Sequence, residues 1–283
     1  MKWVSFWHQE KLLSGYLDKQ TIHAVSTCLL QQRLGDLDMS VQTSEETIAL
    51  AQVTLCQPIY RPGKILGIGV NYHAHMAESV SFIENKSPSV QKWFNKQNSA
   101  ANGPYDTVHL PKVSDQLDYE AELVVIIGRR GRHVPEARAM EMVAGFACGC
   151  DYSVRDWQRA SSTMIMGKGF DTHAVFGPYL VTPDETGAYE DLSIRGYVNG
   201  TLRQDGQARD MRFSVAAQIA HLTQMCTLEP GDVIFTGTPA GVGAGFSPPE
   251  WLKAGDRVRV EIAGLGYIEN AIIDEPSETM RLE

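Results

Sequence analysis

Asp118-Tyr119-Glu120-Ala121-Glu122-Leu123-Val124-Val125-Ile126-Ile127-Gly128 is the stretch on which the reading of this chain turns. On a strand, side chains alternate faces, so Glu120 and Glu122 point the same way, roughly 6.5–7 Å apart at Cα. That face continues through Val124 and Ile126, while Leu123, Val125 and Ile127 occupy the other. Both faces are apolar within two residues, as in a strand covered on both sides. Ionised side chains are mostly exposed, and a solvated outer face is the ordinary reading of Glu-x-Glu. Here the surroundings argue for burial, which two like charges tolerate only beside a metal or a cation.

A third carboxylate follows. Gly145-Phe146-Ala147-Cys148-Gly149-Cys150 is a small, apolar strand pattern that runs straight into Asp151, placing that acid at a strand end. Three carboxylates with oxygen-only ligation suit Mg²⁺ or Mn²⁺ and leave positions for substrate and water. Zinc sites usually carry Cys or His ligands, and no such cluster accompanies these acids. Upstream, His75 and Glu78 stand at i and i+3, which on a helical turn lets the carboxylate orient the imidazole as a general base. A surface His-Glu pair is the alternative, as is a metal-binding His73-x-His75, for which no further ligand stands at a suitable spacing.

The rest of the chain frames this core. Lys64 to Val70, Val143 to Cys150, Ala174 to Val181, Leu192 to Val198, Asp232 to Thr236, Arg257 to Ile262 and Tyr267 to Ile273 all read as strands bounded by Gly, Pro and Asp. Asn199-Gly200 marks a hairpin, because a type I′ turn needs two positive φ angles. Ser214 caps a helix to Met225 whose Val215, Ile219, Leu222 and Met225 share a face. Two further helices are expected at Thr21 to Leu34 and Thr43 to Val53. The segment Gln57-Pro58-Ile59-Tyr60-Arg61-Pro62-Gly63-Lys64 breaks both helix and sheet. It divides a small N-terminal α/β domain (1–60) from the main domain (61–283), and the class is α+β, mainly β.

Four pieces in order carry a family resemblance: Asp118 to Glu122; Cys150-Asp151-Tyr152-Ser153-Val154-Arg155-Asp156-Trp157-Gln158; Gly167-Lys168-Gly169-Phe170-Asp171-Thr172; and Thr236-Gly237-Thr238-Pro239-Ala240-Gly241-Val242-Gly243. Together they resemble the fumarylacetoacetate hydrolase superfamily over roughly residues 60–273. The resemblance implies a mixed β-sandwich or β-roll catalytic domain, usually dimeric, with Mg²⁺ held by Glu120, Glu122 and Asp151. It also makes Lys168 the active-site lysine, whose ammonium beside a metal can stabilise an enolate. Gly69-Val70-Asn71-Tyr72-His73-Ala74-His75-Met76-Ala77-Glu78 is similar to the catalytic lid motif of hydrolytic and decarboxylating members. Arg155 and Gln158 follow Asp151 at i+4 and i+7 and, if helical, share its face as ligand-binding groups. Thr238, in a Gly-rich turn, offers a hydroxyl and backbone N–H groups to a carboxylate. The chain departs from the family at His173, Val175 and Cys150, and the Trp93-Phe94-Asn95-Lys96 segment matches a family Phe-x-Lys in part, as a candidate pocket or dimer contact.

Composition limits the alternatives. The 283 residues carry 25 Lys plus Arg against 34 Asp plus Glu, a formal charge of -9, which argues against a dedicated nucleic-acid binder. Arg129-Arg130-Gly131-Arg132-His133, the one basic run, reads as a solvated turn. Five cysteines without disulfide or CxxC spacing fit a reducing compartment, no stretch is apolar enough to span a bilayer, and the first residues lack a signal-peptide pattern, so the cytoplasm is expected. The leading reading is a hydrolase cleaving a C–C bond of a β-diketo acid of acylpyruvate type, from aromatic or sugar catabolism. Its rivals keep the site but decarboxylate oxaloacetate or isomerise a hydroxymuconate-type diacid. A non-catalytic metal-binding protein and a carboxylate-plus-Lys nuclease are more distant alternatives.

Overall fold

The computed structural model describes residues 1–25, 43–79 and 90–277. It is mainly β. The larger sheet runs, edge to edge, through Thr43–Ala49, Thr21–Val25, Lys11–Asp18, Lys2–His8, Ala174–Val181, Val143–Asp151, Ala121–Ile127, Val233–Phe235, Ile65–Gly69 and Lys92–Lys96. A second, five-stranded sheet runs Thr201–Gln207, Ser193–Val198, Arg257–Ile262, Gly266–Asp274 and Val108–Leu110.

The acid-bearing strand sits near the middle of the larger sheet and behaves as its sequence demands. All seven residues of Ala121–Ile127 are buried. Leu123, Val125 and Ile127 enter one core cluster with Ile194, Val260, Ile262 and Ile268 of the second sheet, while Val124 and Ile126 enter another with Trp3, Ile65, Phe176 and Phe235. Each such side chain, fully buried, is worth about 1.5–3 kcal/mol, so the strand cannot slip by one residue without exchanging two cores. The antiparallel pairing of Ala121 with Cys150 and Glu122 with Gly149 sets Asp151 beside Glu120, whose carbonyl accepts from the Asp151 N–H at 2.9 Å.

The Asn199-Gly200 turn forms with φ of 51° and 78° between its two strands. The capped helix spans Val215–Met225, with Ser214 Oγ accepting from the Ala217 N–H at 3.1 Å and Val215, Gln218, Ile219, Leu222 and Thr223 buried. The N-terminal region departs from expectation. Thr21–Val25 and Thr43–Ala49 are paired strands and Leu50–Gln52 is a short 3₁₀ turn; residues 26–34 of the first expected helix lie outside the described residues. The reason is period: Ile22, Ala24 and Ile48 are buried on one side with Val4, Phe6 and Leu55, and β-branched residues suit the edge offered by the Lys2–His8 and Lys11–Asp18 hairpin. This region has its own apolar cluster, yet its first strand pairs with Ala174–Val181, so the sheet is continuous.

His173 is buried behind the site, not in it. Its Nε2–H donates to the His109 carbonyl at 2.8 Å, Nδ1 has no partner among the described residues, and Phe170 stacks on the ring at 5.6 Å between centroids. Burial, with Lys96 adding its charge, pushes the imidazole down to about 3. Below the ordinary histidine range the unfolded chain therefore takes up a proton that the folded chain refuses, and stability falls as the pH drops. One proton corresponds to about 1.4 kcal/mol per pH unit. Equilibrium unfolding of His173→Phe is expected to show a shallower loss of stability than the parent between about pH 6 and 5, by about 1 kcal/mol per unit; identical slopes would contradict the assignment.

Candidate active site

Glu120, Glu122 and Asp151 converge. One carboxylate oxygen from each lies within 4.8 Å of the others, and all three residues are buried. This is the group with metal-ligand chemistry among the described residues, and His73-x-His75 forms no such cluster there.

Three cations are packed against these acids. Lys168, the last residue of the short helix Ile165–Lys168, donates to Glu120 Oε2 at 2.5 Å and Asp151 Oδ2 at 2.6 Å, and its Nζ lies 4.7 Å from the centre of the Phe94 ring. Lys96 is fully buried and donates to Asp151 Oδ1 and, at 3.1 Å, to the Tyr152 carbonyl. Arg155 contacts Glu120 Oε1 at 2.8 Å and Asp118 Oδ2 at 2.7 Å. Asp118 in turn accepts from the N–H groups of Gly243 and Ala244, at 2.7 and 3.0 Å.

The count of charges matters: four buried carboxylates, at 118, 120, 122 and 151, face three cations, at 96, 155 and 168. Among the described residues Glu122 is the one of these acids with no ion-pair contact, though the charge of Lys168 acts on it; its described hydrogen bond comes from the Gly237 N–H, at 2.8 Å. Burial and then the charges of Asp151 and Glu120 raise its carboxyl well above the usual range. Glu120 goes the other way, held low by Lys168 and Arg155 against the opposing push of burial. An all-oxygen donor set with one carboxylate lacking an ion-pair contact fits a divalent cation, held by Glu120, Glu122 and Asp151.

The His75–Glu78 pair is built on the helix His73–Ser79. His75 Nδ1 lies 2.7 Å from Glu78 Oε1, and Glu78 Oε2 accepts from the Gly241 N–H at 2.9 Å. His75, Glu120, Glu122, Arg155, Lys168 and Thr238, all buried, and half-buried Gln158 line one cavity of about 30 Å³ together with Val70, Phe94 and Met164. That is room for a water. Of the residues expected to form the site, His75, Glu120, Glu122, Arg155, Gln158, Lys168 and Thr238 line this cavity; Glu78 reaches it through His75, and Asp151 lies behind the lining, joined to it through Lys168.

Two details differ from the sequence reading. Asp151 does not share a helical face with Arg155 and Gln158, because Ser153–Val154 is a strand and the helix begins at Arg155. Arg155 instead joins Asp118, Glu120 and, at 2.9 Å, Gln158 Oε1. The Thr238 hydroxyl is committed to the fold, donating to the Ala121 carbonyl at 2.8 Å and accepting from Gln204 Nε2 at 2.7 Å, so it has no proton for a ligand. Asp118 and Gln204 were not singled out as site residues. Asp118 stood inside the quoted motif; Gln204 had no local signal.

The comparisons place this geometry. Residues 64–273 match the family model described as fumarylacetoacetate (FAA) hydrolase C-terminal. The chain belongs to the fumarylacetoacetate hydrolase family. A mitochondrial oxaloacetate tautomerase of Homo sapiens is 42% identical over 225 residues, 79% of this chain and 70% of the relative; its Rattus norvegicus counterpart is 40% identical over 80% of this chain and 71% of its own. Among solved structures, a fumarylacetoacetate hydrolase from Exiguobacterium antarcticum superposes with a TM-score of 0.83 at 32% identity, covering 97% of this chain and 100% of that one. A 5-carboxymethyl-2-hydroxymuconate delta-isomerase from Mycobacterium smegmatis gives 0.82 at 28% identity, with 97% and 100% covered. As in that family, the fold here is mainly β with mixed sheets. Among the described residues no helix is long and apolar enough to cross a membrane.

Glu122→Gln replaces the unpaired acid by a neutral isostere. Thermal unfolding of the parent with Mg²⁺ or Mn²⁺ is expected to show a gain reaching about 2.7 kcal/mol at a hundredfold excess over the dissociation constant, and the variant is expected to lose most of it while folding normally. An equal gain in both would show that the cation sits elsewhere.

Proposed function

We propose that the chain is a divalent-cation-dependent tautomerase or isomerase of a short 2-oxo dicarboxylic acid, interconverting keto and enol forms. The observation that carries this is a buried histidine, oriented by a carboxylate, lining the same cavity as Glu120 and Glu122, with Asp151 clustered beside those two acids. With Nδ1–H donated to Glu78, the His75 Nε2 is the basic nitrogen. It takes a proton from the carbon beside the keto group; the electron pair of that C–H bond becomes the C=C bond as the carbonyl pair moves onto oxygen, the imidazolium then gives its proton to that oxygen to complete the enol, and the reverse transfers restore the keto form. Gly241 holds Glu78 in place through the N–H contact. Lys168 and Arg155 supply fixed positive charge beside the oxygens on which negative charge develops. When bound, a divalent cation supplies Lewis-acid polarisation of the two oxygens of a 2-oxo acid; Mg²⁺ is our assignment, with Mn²⁺ as the substitute.

Relatives named as oxaloacetate tautomerases and a structural neighbour titled as a hydroxymuconate isomerase support proton transfer over bond cleavage. Hydrolysis of a C–C bond in an acylpyruvate, the leading sequence reading, is the second reading, favoured by the 32% identical structure titled as a hydrolase. In either case the partner is a small keto acid, and we propose a homodimer in a reducing compartment, consistent with the described cysteines being free. The N-terminal residues 1–60, with their own apolar cluster, are proposed as a small unit beside the catalytic domain 61–283.

The test is turnover of oxaloacetate enol, acylpyruvates and hydroxymuconate-type diacids, with and without Mg²⁺, followed by product analysis. Unchanged mass with loss of enol absorbance supports the proposal. Pyruvate plus a free acid, or CO₂, would replace it with hydrolysis or decarboxylation. His75→Ala is expected to lower kcat by roughly 10²–10⁴ with Mn²⁺ binding intact; full activity in that variant would remove the base from the mechanism.

A further inference from the structure

We propose that Gln204, on the other sheet, is a positioning residue that sets the spacing of the carboxylate triad; the inference rests on reading that triad as a divalent-cation site. Strand Val233–Phe235 pairs with the acid-bearing strand only at Val124, Val125 and Ile126. Toward the site the two chains separate: the Thr236 N–H makes a last backbone bond to the Leu123 carbonyl at 3.2 Å, and side chains then take over the ladder. Thr236 Oγ1 donates to the Leu123 carbonyl at 2.7 Å, the Gly237 N–H turns to Glu122 Oε2, and Thr238 Oγ1 donates to the Ala121 carbonyl.

Ala121, the residue between the two glutamates, is thereby left with an N–H that no strand accepts. Gln204 accepts it. Its Oε1 takes the Ala121 N–H at 2.9 Å, and its Nε2 donates to Thr238 Oγ1 at 2.7 Å and to the Pro239 carbonyl at 2.8 Å. The side chain is wholly buried, so its carboxamide acts as an inserted peptide group, filling the gap between the diverging strands. One planar group thus holds both margins of the site. On one side stands the backbone from which Glu120 and Glu122 project. On the other is the turn that leads, two residues on, to Gly241 and its bond to Glu78.

The second sheet leaves room for this. Gly196 lies on the strand beside Gln204, where an added Cβ would meet Gln204 Oε1 at 2.9 Å and the Ala121 Cβ at 3.1 Å. A buried amide with three bonds made is costly to misplace, and partners behind metal ligands commonly tune affinity by 10–100-fold.

The experiment uses the full chain, with Mn²⁺ alone as the probe and amide exchange measured at Ala121. Gln204→Leu is expected to weaken Mn²⁺ binding by the folded protein roughly tenfold or more and to speed exchange of the Ala121 N–H; Gly196→Ala, which keeps the glutamine but displaces it, is expected to do both to a smaller extent. A purely structural role would lower the unfolding temperature and leave the Mn²⁺ dissociation constant of the folded protein within about twofold of the parent, which would overturn the proposal. If Gln204→Leu does not fold, unchanged Mn²⁺ binding and unchanged Ala121 exchange in Gly196→Ala overturn it in the same way. If the parent itself binds no Mn²⁺, the cation reading fails; faster Ala121 exchange in the variants then still supports the clamp, and unchanged exchange overturns it.

Discussion

The structure depends on a shortage of one positive charge. Four carboxylates are taken out of water at the junction of two sheets, and three cations follow them. Burying such groups is tolerable only where each ion finds an opposite charge and its remaining lone pairs find donors. Asp118, Glu120 and Asp151 meet that condition, whereas Glu122 meets half of it, through one backbone N–H. The imbalance separates the behaviour of two neighbouring glutamates, one held ionised and one pushed toward its neutral form. It also makes the site receptive: a divalent cation would turn the cluster's net charge from −1 to +1, which favours an anionic ligand.

The fold serves this arrangement by fixing positions, not by supplying flexibility. The acid-bearing strand is pinned between two apolar clusters on its opposite faces. Antiparallel pairing sets Asp151 against Glu120. The turn after Val233–Phe235 delivers donors in sequence, with Gly237 to Glu122, Thr238 to Ala121, Gly241 to Glu78 and Gly243 to Asp118. That single turn touches both the acids and the carboxylate that orients the histidine, so the proton-handling pair and the charge-holding cluster share a frame. Val70 and Met164, both of which line the cavity, adopt positive φ, an unusual conformation for such side chains.

What was legible in the sequence was what is local. The alternation through Leu123 to Ile127, the run into Asp151, the Ser214 cap and the i, i+3 spacing of His75 and Glu78 each need only a few neighbouring residues, and each appears in the structure. The family motifs gathered residues that lie far apart in the chain. Where the sequence reading failed, the deciding partner was distant or the segment short. Thr21–Val25 and Thr43–Ala49 are too brief for period to tell helix from strand, and the hairpin beside them decided. Arg155 follows Asp151 closely but turns to Asp118 and Glu120, because a separate short strand, Ser153–Val154, intervenes and pairs with Leu117–Asp118. The commitment of the Thr238 hydroxyl, and the role of Gln204, rest on contacts spanning 34 to 117 residues, which no spacing rule could have supplied.

The central claim is that the three acids would hold a hard cation beside the cavity that His75 lines. Crystals grown with Mn²⁺ and measured at its absorption edge test it most directly. The account predicts one strong anomalous peak bonded to carboxylate oxygens of Glu120, Glu122 and Asp151. A peak at other side chains, or none at this cluster with the protein saturated in solution, would contradict it.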